Sequence, residues 1–211
     1  NFTSKYANVI INNRIKVFDS SGAYLRSFGG YGNACYQWQY ARQFTIYNDV
    51  VYIADTYGRK VKSLTLTGQC KDIWFTGQYP HAIAANNNYV FVGHPSNNIS
   101  ILDHRLNQRT TRSINSNYLS YSWGMSINPA GNRLAIADYN KNHVVEFSIS
   151  GDWLAYTQKT SSTYSSGNGY FQRPTDTGYD ISGNIYVSDL YGHRVQKFNS
   201  SLVYQSKVGS Y

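Results

Sequence analysis

Three aspartates stand five residues ahead of a cationic or imidazole side chain: Asp55 before Lys60, Asp138 before His143 and Asp189 before Arg194. Across a tight turn that spacing lets a carboxylate meet a cation or take a backbone amide, and either contact fixes a hairpin. The repetition argues for a structural part, because a catalytic residue is not usually copied along a chain. Among the histidines, His81 in Tyr79-Pro80-His81-Ala82-Ile83-Ala84 is the sharpest lead, whereas His94, His104, His143 and His193 fall in turns or at strand ends. A catalytic zinc needs about three protein ligands around an open position. The chain has no Gly-x-Ser-x-Gly elbow, phosphate loop, His-Glu-x-x-His or Cys-x-x-Cys. Gly29-Gly30-Tyr31-Gly32 looks like a phosphate loop only in isolation, since no helix follows it. The carboxylates are few and spread along the chain, so no isolated pair suggests glycoside hydrolysis.

Cys35 and Cys70 are the two cysteines, an even count that invites a disulfide in a secreted chain. Bonding requires α-carbons within about 7 Å. The strand assignment below puts Cys35 in a connection between repeats and Cys70 at a turn on the opposite face. That placement weighs against the bond and leaves the pairing open.

The elements that would position these residues follow from self-similarity. Five segments share one pattern, beginning at Arg14, Lys60, Asn98, His143 and Arg194, with spacings of 46, 38, 45 and 51 residues. A period near 45 residues is one four-stranded propeller blade. In the last repeat, alternation and turn residues predict strands A to D at Thr177 to Ile181, Asn184 to Asp189, Arg194 to Asn199 and Leu202 to Val208. In the second they fall at Phe44 to Tyr47, Val50 to Asp55, Lys60 to Leu66 and Cys70 to Phe75. The third is the most eroded, its fourth strand falling near Thr111 to Ile114. The repeats occupy roughly 1–29, 30–77, 78–115, 116–160 and 161–211, one domain over residues 1–211. Tyr6 to Ile11 form strand B of the first repeat, with nothing ahead to serve as its strand A.

The fifth repeat reads Phe171-Gln172-Arg173-Pro174, then Gly183-Asn184-Ile185-Tyr186-Val187-Ser188-Asp189, then Gly192-His193-Arg194-Val195-Gln196-Lys197-Phe198. The first carries Asn13-Arg14-Ile15-Lys16-Val17-Phe18-Asp19. These segments resemble the NHL-repeat β-propeller family. The resemblance implies an all-β propeller with about five four-stranded blades in this chain and an incomplete first blade. Such propellers commonly close with six blades. The open strand edge would then be covered by polypeptide outside these residues, either more of the same product or a neighbouring subunit. Alignment on the family's proline makes Arg42, His81, Trp123 and Thr175 equivalent at the mouth of the central channel, a candidate ligand surface. The Pro80-His81 segment also resembles those by which the propeller lyase that completes peptide amidation binds zinc. Arg42, Trp123 and Thr175 are not usual zinc ligands, so no metal or cofactor is expected.

Charged residues make up only 14% of the chain, and Tyr is abundant at 21 residues, so the surface must be largely neutral and polar. Three Asn-x-Ser/Thr sequons, at Asn1, Asn98 and Asn199, add to an extracellular reading and are candidate glycosylation sites. The net charge of +8 is dispersed, with no basic run of five or more, which disfavours a dedicated polyanion site. No stretch approaches the roughly 20 apolar residues that cross a bilayer as a helix, and membrane insertion is not expected. The expected function is non-catalytic binding of protein partners or assembly into a larger extracellular structure, through loop aromatics such as Tyr31, Tyr36, Trp38, Tyr118 and Tyr121. RNA or glycan binding by the same aromatics is the alternative. A propeller lyase or hydrolase is a third reading that rests on His81.

Overall fold

Turn-forming residues cut the chain wherever its alternating runs end, and each group of runs folds back on itself as an antiparallel sheet. The computed structural model describes residues 6–209. The first sheet has three strands, β1 (Tyr6–Ile11), β2 (Arg14–Asp19) and β3 (Tyr24–Gly29). The second has four: β4 (Gln43–Tyr47), β5 (Val50–Asp55), β6 (Lys60–Thr65) and β7 (Cys70–Phe75). The third comprises β8 (Ala82–Ala85), β9 (Val90–Gly93), β10 (Asn98–Leu102) and β11 (Gln108–Ser113). The fourth comprises β12 (Ser122–Ile127), β13 (Arg133–Asp138), β14 (His143–Ser150) and β15 (Trp153–Lys159). The fifth comprises β16 (Pro174–Tyr179), β17 (Ile185–Asp189), β18 (Arg194–Phe198) and β19 (Tyr204–Val208). Strand order follows the chain in every sheet, as in propeller blades, and no helix occurs among the described residues.

Two departures from the sequence reading have local causes. Strand A of the fifth sheet starts at Pro174 instead of Thr177, through a bulge between Pro174 and Asp176. Its polar run carries no hydrophobic alternation, and a first-position proline costs the ladder no bond it needs. The outer strand β11 begins earlier than expected because a largely exposed edge strand needs no apolar alternation.

Apolar side chains of each sheet pack on the next, giving four clusters that join sheets one to two, two to three, three to four and four to five. Middle strands are consequently buried on both faces, as in Val50–Asp55 and Arg133–Asp138. Between sheets, a large residue of the incoming connection acts as a wedge: Trp38, Leu119 and Phe171 are each fully buried. Trp38 thereby leaves the set of loop aromatics available to a ligand. It lies against Gly29 so closely that a Cβ there would come 2.1 Å from its ring, so the position requires glycine.

The three repeated aspartates sit opposite their cationic or imidazole partners in register, as Asp55 with Lys60, Asp138 with His143 and Asp189 with Arg194. As expected they take backbone amides, Asp138 those of Asn140 and Lys141 in its own turn, but the amide that all three share the task of holding lies in a connection beyond the hairpin. Each carboxylate accepts the amide of the residue just after a wedge: Gln39 N to Asp55 at 2.6 Å, Ser120 N to Asp138 at 2.6 Å and Gln172 N to Asp189 at 2.6 Å. Only Arg194 pairs with its own aspartate, at 2.9 Å. Asp55 pairs instead with the buried Lys62 at 2.8 Å.

Lys62 also explains the disulfide. Its ammonium reaches the carbonyls of Ala34 and Gln37 and so draws the connection after β3 down the flank of the second sheet. Cys35 then meets Cys70 at the start of β7, with α-carbons 5.6 Å apart, and the two are bonded. The expectation of opposite faces fails because the connection does not stay on its own face.

Candidate functional site at the channel mouth

Strands A and C run from one end of the propeller and B and D return to it, so this mouth face collects the B-to-C turns and the connections into strand A. Three of the four connections, those into β4, β12 and β16, are pinned from below by the aspartates just described. In two of them the residue after the pinned amide is held at positive φ, Tyr40 at 53° and Arg173 at 66°. Side-chain carbonyls of the preceding sheet's B-to-C turn hold the same two residues, Asn13 binding the Tyr40 amide at 2.7 Å and Asn142 the Arg173 amide at 3.2 Å. Left-handed backbone at a non-glycine residue costs energy and persists only where its surroundings fix it.

Arg42, His81 and Trp123 come together at this mouth. The Arg42 guanidinium lies 4.1 Å from the centre of the Trp123 ring, and His81 packs edge-on to Trp123 at 5.8 Å and against Tyr121 at 5.2 Å. Tyr139 stacks on Trp123 at 4.2 Å, and Arg173 stands 4.8 Å from the Tyr139 ring. Guanidinium, indole, phenol and guanidinium thus follow one another in a column of contacts. Thr175 shares a cavity of about 220 Å³ with Arg42, Gln43, Trp123, Gly124 and Asp176, although its hydroxyl bonds Ser188 at 3.0 Å. A second row of rings runs edge to face across neighbouring connections, Tyr31 to Tyr40 at 6.1 Å, Tyr40 to Tyr57 at 5.4 Å and Tyr57 to Tyr79 at 6.0 Å. Tyr31, Tyr40 and Tyr57 are 63%, 61% and 55% exposed. Tyr36 is exposed as well. Tyr118 lies away from this face, stacked on Tyr156 of β15 at 4.0 Å.

Below the mouth, one side chain ties four sheets together. Gln43 Oε1 accepts the Ile83 amide at 2.7 Å and the Met125 amide at 3.2 Å. Its Nε2 donates to the Met125 carbonyl at 2.9 Å and to Asp176 Oδ1 at 2.7 Å. Gly124 permits this approach, since a Cβ there would stand 2.4 Å from Asp176 Oδ1. Asp176 stays open to channel water, yet the protein crowded around its carboxyl pushes it up to about 7, with the Thr177 amide opposing. Channel water weakens that push without changing its sign. Burial, then the neighbouring Arg42 charge, holds His81 down to about 4, and burial does the same to His94. Both rings are therefore neutral near pH 7.

The residues around His81 do not fit a zinc ion, for its neighbours are Arg42, Tyr121, Trp123 and one further imidazole, His94, short of about three ligands. Among the described residues no cluster of three metal-ligating side chains occurs. A larger cavity of about 690 Å³ opens on the opposite face, lined by Tyr52, Lys71, Asp72, His104 and Arg105 among others, and no sequence-derived binding residue reaches it. Of the sequons, Asn1 lies outside the described residues. Asn98 opens β10, its side-chain carbonyl accepting from the Ser113 hydroxyl at 2.6 Å. Asn199 sits in a turn, its carbonyl accepting the Ser201 and Val203 amides, each at 3.0 Å.

Comparison with known proteins places this geometry. The family profile of the NHL repeat matches residues 171–198, which run from the wedge Phe171 to the end of β18. The chain carries an NHL repeat on a β-propeller fold. No curated protein matches it. A solved structure described as streptogramin B lyase matches with a TM-score of 0.71 at 12% identity, covering 99% of this chain and 66% of that one. The chain thus spans just under two thirds of that propeller's length, and identity this low carries the fold and no activity. With 1297 solved chains matching, the fold by itself selects no function.

The sequence reading missed Tyr40, Tyr57, Tyr139 and Arg173 at the mouth. A signal for the B-to-C turn positions was available, because Tyr57 and Tyr191 each stand two residues after a repeated aspartate. Gln43 and Asp176 carried none, since their roles depend on sheets far apart in the chain.

Proposed function

We propose that this chain is a non-catalytic extracellular binding module that takes a polypeptide partner on its mouth face, as part of a larger assembly. The observation that carries the reading is the row of Tyr31, Tyr40, Tyr57 and Tyr79 running into the Trp123 column, an aromatic surface spread over several blades. Tyr and Trp offer large contact areas with polar tips at small entropic cost. The rings hold each other edge to face, and Asp55 pins the connection that carries Tyr31 and Tyr40, so little ordering remains there for a partner to impose. The Cys35–Cys70 bond supports an oxidising compartment. Hydroxyl-radical footprinting of natively sourced material against the isolated chain tests the reading. Tyr40, Tyr57 and Tyr79 should be protected in the native sample while Tyr24 and Trp153, away from the mouth, react equally in both. Equal reactivity everywhere would defeat it.

A further inference from the structure

Apart from Asp72 and Glu146, which lie within strands β7 and β14, the Asp and Glu residues are segregated by position along the propeller axis. Asp19, Asp49, Asp103, Asp152 and Asp180 all lie in A-to-B or C-to-D turns, on the end opposite the mouth. At the mouth itself the carboxylates are Asp55, Asp138 and Asp189, and each is buried and occupied with backbone amides. Arg42, Arg59, Lys60, Lys141 and Arg173 belong to the mouth connections and turns, and the exposed carboxylate near them is Asp176, which lines the same cavity as Arg42. Within the channel cavity Asp176 directs Oδ1 to Gln43 and the Thr177 amide, and the protein crowded around it favours its neutral form.

The cations are not equivalent. Arg59 donates to the Tyr79 hydroxyl at 2.7 Å, and Arg173 donates to the Tyr139 carbonyl and to Asn140, each at 3.1 Å. Arg42 has no hydrogen-bond acceptor for its guanidinium among the described residues; the Trp123 ring supports it from one side and leaves its donor edge exposed. A guanidinium oriented in advance presents a fork of donors that matches a carboxylate.

We propose that the mouth face recognises an acidic stretch of polypeptide, a carboxylate of which docks on the free donor edge of Arg42. This rests on the reading of the mouth as the binding face and names the chemistry of its partner. Nucleic acid and glycan fit less well because both need an open aromatic face on which to stack a base or sugar ring. Trp123 already carries both Arg42 and Tyr139, and Tyr139 carries Arg173. Around Arg42 it is donor edges that remain exposed, which suit acceptor-rich side chains.

The test uses the full chain and fluorescence anisotropy of three labelled probes: a peptide of glutamates spaced by Gly-Ser, its glutamine counterpart, and oligouridine. The glutamate peptide should bind about tenfold or more tightly than the glutamine peptide, the gap narrowing as salt rises. Arg42→Gln should remove the preference, and Arg42→Lys should restore only part of it, since the fork is lost. Lys71→Gln, on the opposite face, should leave it unchanged. If Arg42→Gln unfolds, Thr175→Glu places a competing carboxylate in the same cavity and should abolish the preference with Arg42 intact. Equal binding of the two peptides, tighter binding of oligouridine, or a preference that survives both variants overturns the proposal. Footprint protection of the tyrosine row alongside any of those results would overturn the acidic partner alone and leave the binding face standing.

Discussion

Asp176 and the two buried histidines pull stability in opposite directions as pH changes. His81 and His94 titrate near 4 when folded against 6.5 as model imidazoles, so between those values the unfolded chain binds protons that the folded one refuses. Their stability contribution is complete above pH 6.5 and is lost as pH falls towards 4. Asp176, raised from 3.8 to about 7, binds its proton in the folded state first, so folding gains as pH falls across that window. Two losses against one gain give a melting temperature that drops between pH 6.5 and pH 4, and His94→Gln should flatten the drop in a series of thermal melts. Asp176→Asn keeps an acceptor for Gln43 and removes the penalised charge. It should raise the melting temperature at pH 8 and lose that advantage near pH 5; no gain at pH 8 would mean the carboxylate is well solvated. The histidines were visible in the sequence as residues, but their neutrality was not, since it comes from packing between sheets.

Connections, more than strands, decide what this propeller presents. Strands β5 and β7 lie where alternation and turns predict them, because each strand's pattern is local. The path of the Gly30–Arg42 connection was hidden, since it is set by Lys62, thirty residues or so along the chain. That path also creates the disulfide, which closes a loop of 35 residues. Cys35→Ser with Cys70→Ser should therefore cost about 3–4 kcal/mol in a chain-entropy view, measured by urea unfolding at constant m-value. A change below about 1 kcal/mol would show that Lys62 alone holds the connection. In the fifth sheet the pin is Asp189, fully buried, bonded to the Gln172 amide and paired with Arg194. Asp189→Asn leaves a buried guanidinium without its counter-charge and should cost about 3 kcal/mol or more. The sign to look for is faster hydrogen exchange at Gln172 and Tyr191, whose amides belong to the pinned turn.

At the scale of the whole molecule, the period near 45 residues made the propeller legible before any strand was placed, because every blade repeats one supersecondary unit. The convergence of sites from different blades was legible only in part. Arg42, His81 and Trp123 share a mouth through the repeat alignment, but the column that Tyr139 and Arg173 complete depends on how far neighbouring blades rotate. Gln43 belongs to the same class of fact. Modules that touch only their neighbours are expected to melt piecemeal, yet here a single amide fastens the innermost strands of four sheets. The axis of the molecule is in that sense a keystone and not a duct: no solute threads past Gln43 without breaking its bonds, and no one of those sheets loosens alone. Gln43→Leu should split one sharp calorimetric transition into a broad or stepwise one, whereas an unchanged single transition would mean that the sheet-to-sheet clusters already bind the array into one unit.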